Sequence, residues 1–352
     1  LAFDELVLAT GSAPWVPPIP GLHRDGVFAF RSLADMRAIR AAAWSATRAV
    51  VIGGGLLGLE AARGLRERGV EVTVVHLADR LMELQLDPLA ARLLERRIRA
   101  LGIHVLCGQR TEAVTADGVA LADGTELPAD LVVFATGIRP EVGLARDAGL
   151  EVERGVLVDD NLRTSAPGVW AVGECAEHRG TVYGLWAPVL EQARAAGAAI
   201  AGRPNAFHGA VPATTLKVAG IDLFCAGAAA EPDPLAEEVI VLDSRRERYR
   251  KLVLRDGALA GATLLGDIAD ARRLRALIAS GEAVPEELLA TGTGAGDAPA
   301  DHLVCSCQVV SRSDITSAIQ DGAATLAQVS ARTGAATGCG GCRPDVEALL
   351  EA

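Results

Sequence analysis

Short apolar runs bounded by glycine recur along the first two hundred residues, and they alternate with stretches whose apolar positions repeat every three to four residues. That alternation predicts buried parallel strands joined by helices, the α/β pattern. Ala49-Val50-Val51-Ile52 runs into Gly53-Gly54-Gly55-Leu56-Leu57-Gly58, then into an amphipathic helix ending at Gly69 and a second strand, Glu71 to His76. Leu6-Val7-Leu8 and Leu131-Val132-Val133-Phe134 read as buried strands, each followed by Ala-Thr-Gly and then proline (Pro14, Pro140), so the two segments are near-copies. A further strand, Val169 to Val172, leads into Gly173-Glu174-Cys175, and a helix follows Pro188. From about residue 208 the pattern shifts to an α+β one. Strand-like segments stand at Thr215–Val218, Glu238–Leu242, Tyr249–Leu254 and Ala260–Leu265, ahead of a helix from Asp267 to Ala279. Residues 290–300, rich in glycine, alanine and threonine, read as a linker. Beyond it, start and stop signals predict helices from Ser313 to Gln320 and from Thr325 to Arg332, and a third opening at Arg343-Pro344.

Composition narrows the class. A chain of 352 residues, 50% of them hydrophobic, buries more than one core and predicts two or three domains. The apolar stretch from Ala49 to Ala62 is broken by glycine, and no run predicts a membrane span. A formal charge of −11 argues against a nucleic-acid partner and suits docking to a basic patch on another protein. Seven cysteines, four of them in two close pairs, fit a reducing cytoplasm better than a disulfide framework. Cys107, Cys175 and Cys225 stand in apolar surroundings and read as buried, inert thiols.

Two motifs carry chemistry. In the strand–turn–helix unit, Gly53 permits the tight turn, Gly55 admits a pyrophosphate at the helix start beside Leu56, and Gly58 lets helix and strand pack closely, as in dinucleotide-binding units. His76 ends the second strand where such units usually place an acid for the ribose hydroxyls. Asp79 suits a ribose and Arg80 with His76 suits a 2′-phosphate, which leaves NADH against NADPH open. The second motif is Cys305-x-Cys307 followed by Cys339-x-x-Cys342, with 31 residues between the pairs. Thiolates hold either zinc or an iron–sulfur cluster. Glycines at 338, 340 and 341, and a Cys-x-Cys pair unlike the usual structural zinc arm, favour iron. The six histidines show no catalytic spacing, and no catalytic acid or base is expected.

These motifs resemble known families. The cysteine pattern resembles the bacterioferritin-associated-ferredoxin (BFD)-like domain, which implies a [2Fe–2S] cluster on Cys305, Cys307, Cys339 and Cys342. The two Ala-Thr-Gly segments with Val169–Glu174 resemble the pyridine nucleotide–disulfide oxidoreductases. That resemblance implies FAD held near Thr10, Gly11, Ser12, Thr136, Gly137 and Gly173, with Glu174 on the flavin ribityl chain where most members carry Asp. It also implies two Rossmann-like domains: an FAD domain of residues 1–28 and 138–205 with the NAD(P)-binding domain, 29–137, inserted between. A reductase-type α+β domain at 208–285, a linker at 290–300 and a small helical cluster domain at 301–352 complete the expected order. The FAD part reads as truncated at its N-terminus, short of a segment of about eighty to ninety residues that would bring its own glycine turn. The whole order, with Phe207-His208-Gly209, Thr215 to Asp222 and Leu264-Leu265-Gly266-Asp267, is similar to the flavin and [2Fe–2S] portion of assimilatory NAD(P)H nitrite reductase large subunits and the electron-transfer subunits of assimilatory nitrate reductases. The resemblance implies electrons passing from NAD(P)H through FAD and the cluster to a nitrate or nitrite reductase subunit or domain, and leaves room for a homodimer. The rivals are a ferredoxin- or rubredoxin-type reductase, an amine dehydrogenase flavoprotein subunit, and a zinc-stabilised scaffold without catalysis.

Overall fold

The computed structural model of the protein describes residues 2–203, 206–218, 220–230, 234–289, 303–305, 308, 310–338 and 342–351. The chain forms two compact units, one of residues 11–141 with 218–220, the other of residues 1–10, 142–217 and 221–352.

The first unit is built on a five-stranded parallel sheet in the order Val27–Ala29, Leu131–Phe134, Arg48–Ile52, Glu71–Val75, Ile103–Leu106. All four residues of Leu131–Phe134 are buried, as a parallel strand flanked on both sides requires. The connecting helices carry their own start signals. Ser32 and Asp35 form a capping box for Leu33–Ala42, and Asp87 caps Pro88–Ala100 with proline at its start. A three-stranded antiparallel sheet, Thr111–Val114, Gly118–Leu121 and Glu126–Pro128, buries Val114, Val119 and Leu121 against Val50, Ile52, Val132 and Phe134. Its strands are three or four residues long, too short for the hydrophobic pattern to announce. The near-copies meet here: Ser12–Pro14 pairs antiparallel with Ile138–Pro140. Ser12–Pro14 and Val27–Ala29 are both hydrogen-bonded into this unit.

In the second unit Leu6–Leu8 pairs parallel with Val169–Ala171. The expectation of a buried strand needs correction, since Val7 is 43% exposed; among the described residues this strand pairs with one neighbour. The strand Ala176–His178 lies between Val156–Val158 and Thr181–Val182, and the helix Trp186–Ile200 follows. The α+β region forms a five-stranded sheet in the order Ala213–Val218, Ile221–Gly227, Ala258–Leu265, Arg248–Arg255, Glu237–Asp243. Helix Ala271–Ser280 covers one face through Ala271, Leu274 and Leu277. Strand Ile221–Gly227 was not expected; Asp222 and Gly227 interrupt its apolar pattern. The expected linker, 290–300, lies outside the described residues. After it, a short hairpin, Leu303–Cys305 with Val310–Ser311, and helices Arg312–Gln320, Leu326–Thr333 and Arg343–Glu351 share one core. Among the described residues no helix is long and apolar enough to cross a membrane.

Candidate functional site

The glycine turn after Arg48–Ile52 is fixed by backbone contact. Gly53 has φ +119°, and a Cβ there would lie 2.3 Å from the Ala135 carbonyl oxygen. A Cβ on Gly58 would lie 1.9 Å from the Gly53 oxygen, so only glycine lets helix Leu56–Arg66 pack this close to the strand. Gly55 differs. It is the N-cap of that helix in extended geometry, no side chain caps the helix, and a Cβ on Gly55 would meet nothing within 4 Å. Uncapped N–H groups at a helix start that opens onto free space suit a phosphate, and these residues fit a dinucleotide.

The residues expected to read the ribose are held in a small network. His76 is 9% exposed; its Nδ1 accepts the Gly54 N–H at 3.0 Å, and its Nε2 lies 2.8 Å from Glu83 Oε2. A ring accepting at Nδ1 carries its proton at Nε2, so His76 is neutral and donates to Glu83. Arg80 braces the same loop: Nε donates to the Leu86 carbonyl at 3.0 Å, Nη2 to the Glu83 carbonyl at 3.3 Å, and Nη1 to Asp79 at 2.9 Å. Asp79 and Arg80 are thus partners of each other. Glu83 escaped the sequence reading because it lies seven residues past His76, in a loop without periodicity.

Of the residues expected around the flavin, Gly11 (φ +71°) and Gly137 (φ +97°) both adopt left-handed backbone with open space around the missing Cβ. Ser12 accepts a hydrogen bond from Arg31 at 3.1 Å, Thr136 donates to the Trp15 carbonyl, and Thr10 ends the exposed stretch after Leu8. In the other unit, strand Val169–Ala171 runs into a 3₁₀ turn, Gly173–Cys175, with Gly173 at φ +87° and Glu174 half-buried at its tip. The Gly173 N–H donates to Gln192 Oε1 at 2.8 Å. Gln192 is fully buried on helix Trp186–Ile200, and its Nε2 has no protein partner. No sequence signal marked Gln192, because its contact spans 19 positions. Within this unit, Gly173 and the half-buried Glu174 beside it fit a ribityl chain.

Next to that turn, Asp160 takes two hydrogen bonds from Arg179, at 2.9 and 2.6 Å, and one contact of 2.9 Å from buried His178. Arg179 first, then His178, hold its carboxyl down at about 2.

The sulfur residues lie in the C-terminal part of the second unit's chain. Cys305 and Cys342 are 1% and 6% exposed and share a core with Ile315, Val329 and Val346. Ala336, in left-handed backbone at φ +61°, donates its N–H to Cys342 Sγ at 3.3 Å. A backbone N–H aimed at a buried sulfur stabilises negative charge there and fits a cluster ligand. Cys307 and Cys339 lie outside the described residues. Among the other cysteines, Cys175 and Cys225 are buried, while Cys107 is only half-buried; that much burial, with Glu95 nearby, still pushes its thiol up to about 11.

Comparison with known proteins covers the same regions. Residues 1–199 match the pyridine nucleotide-disulphide oxidoreductase family, 212–282 the rubredoxin NAD+ reductase C-terminal domain, and 303–352 the BFD-like [2Fe-2S] binding domain. The chain is 42% identical over 365 residues to a nitrite reductase [NAD(P)H] of Bacillus subtilis, covering 99% of this chain and 45% of the relative. To the assimilatory nitrate reductase electron transfer subunit of the same organism it is 39% identical, covering 99% and 47%. The chain therefore spans about half the length of the relatives it matches. Among solved structures, a ferredoxin reductase from Rhodopseudomonas palustris superposes with a TM-score of 0.75 at 30% identity, covering 82% of this chain and 73% of that one. A NAD-dependent persulfide reductase from A. fulgidus does so at 0.72 and 32%, covering 80% and 58%.

Proposed function

The chain belongs to the pyridine nucleotide-disulphide oxidoreductase family, and from that premise we propose that it passes electrons from NAD(P)H to a nitrate or nitrite reductase centre. Its cofactor set is FAD, NAD(P)H and a [2Fe–2S] cluster. The observation that carries the reading is the joining, in one chain, of an open dinucleotide turn at Gly53–Gly58 to a core that buries Cys305 and Cys342 with a backbone N–H on sulfur.

Bound here, FAD would supply the exchange of a two-electron hydride from NAD(P)H for single electrons, and the [2Fe–2S] cluster would carry those onward. The chain's own residues bind and orient. Gly53, Gly55, Leu56 and Gly58 hold the pyrophosphate at the start of helix Leu56–Arg66, whose dipole favours the anion. Gly11 and Gly137 in the first unit are assigned to the flavin by their open glycine backbone, and in the second unit Gly173 leaves room where Glu174 would accept from ribityl hydroxyls. Cys305, Cys307, Cys339 and Cys342 supply four thiolates to the cluster. No side chain has to move a proton for the hydride step. We place the FAD domain in residues 1–28 and 138–205, the NAD(P) domain in 29–137 and the cluster domain in 301–352, in a cytoplasmic protein whose acceptor is a nitrate or nitrite reductase subunit or domain. A homodimer is compatible with this arrangement.

The decisive experiment is electron paramagnetic resonance of the NAD(P)H-reduced protein alongside its Cys342→Ser variant. The variant is expected to lose the [2Fe–2S] signal while NAD(P)H still bleaches the flavin absorption. A signal unchanged by the substitution removes Cys342 from the ligand set, and a spectrum without flavin or cluster bands, with bound zinc, supports the scaffold instead.

A further inference from the structure

The network at the end of strand Glu71–Val75 contains an acid that strand-end reasoning does not find. Dinucleotide-binding units that prefer NADH usually place a carboxylate there, and this chain has His76. His76, however, is locked by the Gly54 N–H on one nitrogen, inside the glycine turn itself, and by Glu83 on the other. From these contacts we infer that Glu83 is the ribose-reading acid, supplied by the 77–86 loop and held in place by His76, and that the site therefore selects NADH over NADPH. The inference rests on reading Gly53–Gly58 as the nicotinamide nucleotide turn.

The hydrogen bonds set the charge. With Nδ1 accepting from Gly54, the imidazole is neutral and its Nε2–H spends itself on Glu83 Oε2. The carboxylate keeps its negative charge, and its other oxygen remains to accept from hydroxyls. Glu83 is 32% exposed at its side chain, while His76 stays buried. Arg80, the cation best placed to welcome a 2′-phosphate, is committed to the carbonyls of Glu83 and Leu86 and to Asp79. Counting Asp79, Glu83, Arg80 and neutral His76, the loop carries one net negative charge, which favours a diol and disfavours a phosphate dianion. The neighbouring Cys107 thiol senses the same field. Burial and Glu95 do most to raise it, and Asp79 and Glu83 add to the effect. Backbone also fixes the loop onto the turn, since the Met82 N–H donates to the Gly54 carbonyl at 3.1 Å.

The test uses the flavin-loaded protein and equilibrium binding of three oxidised nucleotides: NAD+, NAD+ lacking the 2′-hydroxyl on its adenosine ribose, and NADP+. In the native protein NAD+ is expected to bind at least about tenfold more tightly than either of the others, the usual value of a hydrogen bond to a charged group. Glu83→Gln should weaken NAD+ by about tenfold, leave the deoxy analogue unchanged and narrow the gap to NADP+. Glu83→Arg should reverse the preference. An equal loss for NAD+ and the deoxy analogue would show that Glu83 only shapes the loop and would overturn the inference, as would a native protein that prefers NADP+. Failure of the native protein to bind any of the three would instead remove the nucleotide assignment of Gly53–Gly58, and Glu83 with it.

Discussion

Two turns in this molecule do related work by different means. After strand Arg48–Ile52 the chain turns through Gly53, and after strand Val169–Ala171 it turns through Gly173; both glycines have positive φ, and each turn presents the residues assigned to a cofactor. The first turn is held by backbone packed on backbone, at 1.9 and 2.3 Å from would-be Cβ atoms. The second has room: the nearest atom to a Cβ on Gly173 is Val189 Cγ1, at 3.7 Å, and what fixes the turn is the buried amide of Gln192. One turn is specified by its own glycines, the other by a side chain on a distant helix.

The largest expected effect tests whether close packing governs the first turn. Gly58→Ala puts a methyl where the Gly53 oxygen already is, so helix Leu56–Arg66 must move away from its strand. A loss of about 3 kcal/mol in stability, the upper part of the overpacking range, is expected in denaturant titration, together with weaker NADH binding. Loss of binding alone, at unchanged stability, would mean the helix tolerates the shift. Gly55→Asp separates the two properties. Asp is at least as good an N-cap as Gly, so the melting temperature should hold, while its charge at the phosphate position should raise KM for NAD(P)H by about a hundredfold without changing flavin content. An unmoved KM would take the nucleotide away from this turn.

The second turn should respond to a residue outside it. Gln192→Met fills the same space and removes the acceptor, leaving the buried Gly173 N–H without a partner at about 1–2 kcal/mol. Because the native Gln192 Nε2 is itself unpartnered, part of that loss is recovered in the variant. Flavin affinity should fall more than stability, since the turn that presents Glu174 is what loosens. Bound FAD per protein and the urea midpoint, measured together, check this, and equal proportional losses in both would make Gln192 an ordinary core residue.

The same contrast explains what the sequence disclosed. Gly53, Gly55 and Gly58 were legible because their reasons are local: a turn, an approach and a close packing within six residues, flanked by strands whose apolar runs announce them. Cys305 and Cys342 were legible because thiolates in close pairs have few uses, and both lie in one core. Glu83 and Gln192 were not, since an acid in a loop and an amide in a helix carry no pattern until the fold brings them to His76 and Gly173. Strand Leu6–Leu8 shows the converse limit. Its apolar pattern matches that of Leu131–Phe134, yet one has a neighbour on a single side and the other on both. Pattern announces a strand; its neighbours decide its burial.

The smallest effect concerns the second turn and its dependence on pH. The contacts that hold Gly53 and Gly58 are backbone and do not titrate, whereas the strand leaving the second turn, Ala176–His178, is tied through His178 and the adjoining Arg179 to Asp160. Arg179 and then His178 hold the Asp160 carboxyl at about 2, below the roughly 3.9 of an unfolded aspartate. A depressed carboxyl contributes stability that is fully present above the unfolded value and disappears as the pH falls through the folded one. The native protein should therefore exceed Asp160→Asn in urea midpoint at pH 6, and the gap should close between about pH 4 and pH 2. Because the Asp160 side chain is 39% exposed, added salt should shrink the gap at pH 6 as well. A gap that persisted unchanged at pH 2 would assign the effect of the substitution to shape rather than charge.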